Sequence, residues 1–220
     1  MKKLGNIMLL LTLMFNFAAI PGASWAQEKI DIATLPMEEL SEDEIQGILL
    51  IREEEKLARD VYRFLEETWN LKIFSNISRS EQTHMGEISR LIDKYGLQDP
   101  VKDDTPGVFS SPEVSRLYQE LIERGKTSEL EALKIGATVE ELDIADIENI
   151  LSKADNQDLR IVLLNLVKGS RNHLRSFTRQ ITKRGSSFQP AYISDSMYEA
   201  IINTEQEQYE ITDPEFLFNY

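Results

Sequence analysis

Four stretches of this chain carry an apolar stripe at helical spacing, and every stripe is interrupted by an acid, an imidazole or both. The sharpest lies in Ile77 to Tyr95, where Ile77, Glu81, His84, Ile88 and Leu91 recur at intervals of four, three, four and three. That spacing places all five on one helix face, the face that meets a core. Glu81 and His84 stand one turn apart within it. A carboxylate and an imidazole aimed inward together have the residue types and the spacing of a metal-ligand pair, which needs further ligands from other elements.

The other stripes offer such partners. From Ser41, which begins a capping-box pattern with Glu44, a helix is expected to run to about Trp69, with Ile45, Ile48, Ile51, Glu55, Ala58, Tyr62, Leu65 and Trp69 near one face. A third helix, from the Ser128 and Glu131 capping pattern to about Lys153, carries Leu133, Ala137, Glu140, Ile144, Ile147 and Leu151. A fourth, from about Gln157 to Lys183, carries Leu159, Leu163, Leu166, Ser170, His173, Phe177 and Ile181. The chain has two histidines, and both fall on these stripes.

The connections suggest how the helices are wired. Asn70 to Ser75 reads as a short turn, which makes the second helix an antiparallel neighbour of the first. Asp155 and Asn156 do the same for the third and fourth. Leu97 to Ser110 is long, with two prolines, and leads into Ser111-Pro112-Glu113, a strong start for a short helix ending at Gly125. A piece of that length can carry the chain from one end of a bundle to the other. The fold class expected is therefore all-α: a four-helix bundle over 41–185, one long crossover containing a short helix, and a short C-terminal helix in 186–220. An arm over 27–40 precedes it.

Energetics bear on what the stripes hold. An unpaired carboxylate in a dry core costs on the order of several kcal/mol, and three would rival the whole net stability of a domain, roughly 5–15 kcal/mol. The stripes contain no lysine or arginine at matching depth. Protonation, basic partners or bound cations must compensate, and a pair of divalent cations does so without a buried base. Mixed carboxylate and imidazole donors suit iron or manganese, with zinc as a substitute.

The chain opens with Lys2 and Lys3, then an apolar run from Ile7 to Ile20, then Ser24-Trp25-Ala26. This has the form of a secretory signal peptide over 1–26, so a periplasmic or secreted product is expected, with no membrane association of the mature form. The formal net charge of −14 at pH 7 argues against nucleic acid and anionic membranes as partners and is compatible with attracting metal ions. There is no cysteine, so packing, or packing with metal, must hold an exported fold together.

Glu55-x-x-Ala58-x-x-x-Tyr62 and Glu81-x-x-His84 resemble the first two helices of rubrerythrin-type proteins. Three segments resemble more closely the ferritin-like family catalogued as domain of unknown function 2202: Glu54 to Tyr62, Val139 to Ile144, and Gly169 to Leu174. The likeness spans about Ser41 to Asn203. It implies a ferritin-like four-helix bundle with a two-metal carboxylate centre. The chain departs from the ferritin-like pattern at Ser170, where those proteins place a second glutamate three residues before the last histidine. Asp143, one turn after Glu140, or Glu141 by a shift in helix phase, could stand in for it.

The expected ligands are Glu55, Glu81, His84, Glu140 and His173, with Asp143 as a further candidate. They would hold one or two ions, iron first, and the small residues Gly169 and Ser170 leave a gap through which a small molecule could enter. Expected chemistry is redox reaction with O2 or H2O2, as ferrous oxidation or peroxide scavenging. The alternatives are metal binding or sequestration without turnover, and a metal-free helical interaction module. A homo-oligomer is compatible with either.

Overall fold

The computed structural model describes residues 30–220. The signal peptide expected over 1–26 and the first residues of the arm lie outside the described residues. Among the described residues the structure is all-helical: a 3-10 turn at Ile32–Thr34, then α1 (Glu42–Trp69), α2 (Lys72–Tyr95), α3 (Pro112–Gly125), α4 (Glu129–Leu151), α5 (Gln157–Lys183) and α6 (Asp195–Ile202). The four long helices form the bundle. α1 packs along α2 and α4 along α5, while α1 also meets α4 and α2 meets α5, so the four close a ring around a shared interior. The short α3, carried by the crossover, leans on α1 and α4.

Local chemistry accounts for the helix starts. Ser41 Oγ accepts from Glu44 N at 3.3 Å while Glu44 Oε2 accepts from Ser41 N at 2.8 Å, a complete capping box. The other Glu44 oxygen accepts from the backbone N–H groups of Asp155 and Asn156, tying the start of α1 to the turn between α4 and α5. Ser111, Ser128 and Ser194 cap α3, α4 and α6 through their hydroxyls.

α2 begins five residues earlier than its apolar spacing indicates. Asn70 adopts a left-handed conformation (φ 51°), an arrangement asparagine tolerates, and Leu71 completes the reversal. The first turn of α2 is then fixed by Phe74, fully buried against Tyr62 and Phe177. Ser78, whose spacing to Glu81 is that of a capping box, lies inside the helix and donates to Ser75 O. Glu81 is accordingly free of capping duty and points into the bundle.

α1 is buried on a second face that its apolar stripe does not reveal. Lys56 and Arg59 are fully covered, and both pair with Asp60. Around them the crossover folds down: Lys56 Nζ donates to Thr105 O, Asp60 accepts from Gly107 N, and Arg59 reaches Asp104. Glu53 is buried and accepts from the backbone N–H groups of Ser110 and Ser111 at the start of α3. Ionic groups on α1 thus satisfy a loop whose own backbone has no regular partners.

Candidate metal centre

Glu55 from α1, Glu81 and His84 from α2, Glu140 from α4 and His173 from α5 converge at mid-bundle. Two three-residue groups place one potential ligand atom each within 4.8 Å of the others: Glu55, Glu81 and His84, and Glu81, Glu140 and His173. Glu81 belongs to both. His84 Nδ1 lies 2.8 Å from Glu81 Oε2 and 3.2 Å from Glu55 Oε2. His173 Nδ1 lies 2.9 Å from Glu81 Oε1 and 3.3 Å from Glu140 Oε2. The two imidazole rings lie 5.7 Å apart, nearly parallel, on either side of that shared carboxylate. The three glutamates are each 2 % exposed.

Several buried oxygens have no hydrogen-bond partner among the described residues: Glu55 Oε1, Glu81 Oε1 and Asp143 Oδ1. Glu81 Oε1 is the instructive one. His173 Nδ1 is 2.9 Å away, yet the alignment of a hydrogen bond is missing. Donor atoms that are close but not aimed at each other are placed as they would be to face a third body between them. A cation fits this donor set, because it needs lone pairs that no proton already occupies.

The electrostatics describe the same crowding. Burial pulls both imidazoles down, but the facing carboxylates outweigh it. His84 is held well above the ordinary histidine range by Glu55 and Glu81, and His173 is raised to about 10 by Glu81 and Glu140. Burial also works against the Glu81 carboxylate, which the two imidazoles nonetheless pull down to about 2. Burial raises Glu55 to about 7, with only partial relief from His84, and raises Glu140 as well. Without metal, protons on the two imidazoles supply the positive charge that the carboxylates require.

Asp143 sits at the margin of the centre and belongs to neither three-residue group. Its carboxylate accepts a hydrogen bond from Ser170 Oγ, so the residue in the place of the expected second glutamate binds the candidate substitute. Burial, with Glu55, Glu140 and Glu81 nearby, holds Asp143 well above the usual carboxylate range. Glu141 turns away from the centre: its Oε2 accepts from the backbone N–H groups of Ala191 and Tyr192 in the loop before α6. Glu54 is enclosed, and burial and Asp146 raise it well above its usual range. Tyr62 donates to Glu140 Oε1 at 2.5 Å and touches Gly136 O at 3.3 Å. Its place one turn past Ala58 on the α1 stripe is the signal that brings it to the site.

The fold and the centre together define a class: an all-α bundle with acids and imidazoles from four helices gathered at one interior point. The chain belongs to the family described as an uncharacterized protein domain, DUF2202, which it matches over residues 44–205. It is similar to the uncharacterized protein MJ0754 of Methanocaldococcus jannaschii, 51 % identical over 177 residues that span 80 % of this chain and 96 % of that one. The crystal structure of hypothetical protein MJ0754 from Methanococcus jannaschii resembles it with a TM-score of 0.78 and 52 % identity, covering 79 % of this chain and 99 % of that chain.

Proposed function

We propose that this chain is an exported protein that holds two transition metal ions, iron first among them, and uses them in redox chemistry with O2 or H2O2. The observation that carries the reading is Glu81, which offers one oxygen to each of two imidazole–carboxylate groups. Glu55, Glu81 and His84 would hold one ion, and Glu81, Glu140 and His173 the other. When bound, a pair of ferrous ions supplies two electrons, one from each, to a small oxidant.

The chain's own residues prepare that chemistry. Burial keeps the carboxylates and imidazoles away from water, so their affinity for a cation is not spent on solvent. Tyr62 fixes the orientation of Glu140, and Ser170 fixes Asp143. The buried hydroxyl of Tyr62 stays protonated, because burial and Glu140 hold it well above the tyrosine range, so it acts as a donor there.

A second reading, metal binding without turnover, draws support from Ser170. A serine in place of an acid leaves the centre one carboxylate short of a symmetric pair. Two measurements separate the readings. Metal analysis of tag-free protein should find near-stoichiometric metal in the parent and little in His84→Ala and His173→Ala; equal content in all three refutes the site. Stopped-flow absorbance of the ferrous protein mixed with peroxide or oxygen should show a transient on the redox reading, and a flat trace leaves only binding.

A further inference from the structure

The His84 ring has two functional edges, and the centre uses one. Nδ1 faces Glu55 and Glu81. The opposite edge lies against the α5 backbone at Gly169, where a Cβ would stand 2.7 Å from both Cε1 and Nε2. Only a residue without a side chain leaves that edge room. Beyond it opens a cavity of about 250 Å³ between α2 and α5, floored in part by His84 and Gly169.

The lining of this cavity selects against charged occupants. Ile30 and Ile32 of the arm and Val162 and Leu166 of α5 supply an apolar wall. The charged groups that reach it have opposite charges beside them: Lys168 lies 3.6 Å from Glu210, and Glu87 lies 3.2 Å from Arg90. Ser80 and Thr83 stand along the α2 side, with Thr83 exposed at the rim. A water's share of liquid volume is about 30 Å³, so the space equals roughly eight waters. Hydrogen peroxide needs far less room and gains nothing from an apolar wall. The cavity suits a body of several carbons with one oxygen able to accept from His84 Nε2–H.

We propose that this cavity binds a small, uncharged organic oxygen compound, seated with its oxygen on the His84 Nε2 edge, and that the substrate of this class is an alkyl hydroperoxide. The substrate assignment rests on the redox reading above; the binding site does not. With Glu55, Glu81, His84, Glu140 and His173 holding two ferrous ions, the centre would supply the two electrons, one per ion, that cleavage of the O–O bond requires; two protons would come from solvent, and an alcohol and water would leave.

The chain's two histidines make the test direct. Metal-free protein carrying 15N-histidine is titrated with tert-butyl alcohol, an unreactive member of the class, and the imidazole nitrogens are followed by NMR. Saturable movement of the His84 Nε2 resonance, with His173 unmoved, is expected, and Thr83→Trp at the rim should weaken it at least tenfold. Absence of saturation, equal movement of both rings, or unchanged binding in Thr83→Trp overturns the site. For the substrate, the rate of ferrous oxidation by tert-butyl hydroperoxide relative to hydrogen peroxide should fall about tenfold in Thr83→Trp, and an unchanged ratio overturns that assignment. A chain that takes up no iron defeats the metal reading and with it the hydroperoxide, while the titration still decides the cavity.

Discussion

Tyr62 shows how a residue that looks like packing can tune a charged site. Its ring packs against Phe74 and Phe177, with centroids 6.2 and 5.5 Å away, and its hydroxyl donates to Glu140. Tyr62→Phe keeps the ring and removes the donor. The fold should persist while affinity for the weaker of the two ions falls about tenfold, the size of effect usual when a ligand's supporting hydrogen bond is lost; a competition titration against a chromophoric chelator reads it. The raised imidazoles give a second prediction. His173 titrates near 10 in the folded metal-free protein, above its ordinary value of 6.5. Its contribution to stability is therefore complete below about pH 6.5 and is lost as pH rises toward 10. Tm of the metal-free protein should fall across that window, and the fall should be smaller in His173→Ala, as differential scanning calorimetry can show. Five candidate ligands were legible at this scale because each interrupts an apolar stripe. Lys56, Arg59 and Asp60 were not, since a charged residue off the stripe reads as surface, and the loop that covers them has no periodicity of its own.

At the scale of the element, the helix ends follow capping chemistry closely where a serine or a proline announces it, as at Ser41, Ser111 and Ser128. The start of α2 was not legible, because it depends on the left-handed Asn70 and on Phe74 finding a place between rings from α1 and α5, both properties of the assembled bundle. The approach of α4 to α5 has a similar origin. A Cβ on Gly136 would overlap the Phe177 ring, so glycine there lets the helices close around the aromatic cluster that underlies the centre. Gly136→Ala should overpack this contact and cost about 1–3 kcal/mol, lowering Tm by several degrees in thermal denaturation followed by circular dichroism.

For the whole molecule, the segments outside the bundle are held by charge. The C-terminal tail docks through Glu207, which accepts from Arg171 at 2.6–2.8 Å and from Arg175 at 3.1 Å, both on α5. Arg171 and Arg175 are 1 % and 3 % exposed, so Glu207 sets its carboxylate against two buried guanidinium groups. Farther along, Asn165 bonds Ile211 O and N, and Arg160 holds Pro214 O. The sequence does not mark this ionic anchor, since the pairing spans 36 positions and leaves no local pattern. Glu207→Ala should cost about 3 kcal/mol, the scale of a broken buried pair, and limited proteolysis should cut the tail in the variant well before the bundle. The arm is held likewise: Lys94 donates to Ile32 O, Leu35 O and Pro36 O. Arm and tail together wall the cavity beside His84.

The proposed sharing of Glu81 between two cations is what would separate this centre from an ordinary buried ion cluster. Glu81→Gln keeps the side chain's size and removes its charge, so metal stoichiometry after anaerobic ferrous loading and desalting tests the sharing directly. Two ions per chain are expected for the parent and close to none for the variant. Equal metal content in both, or a parent that emerges metal-free, would contradict it.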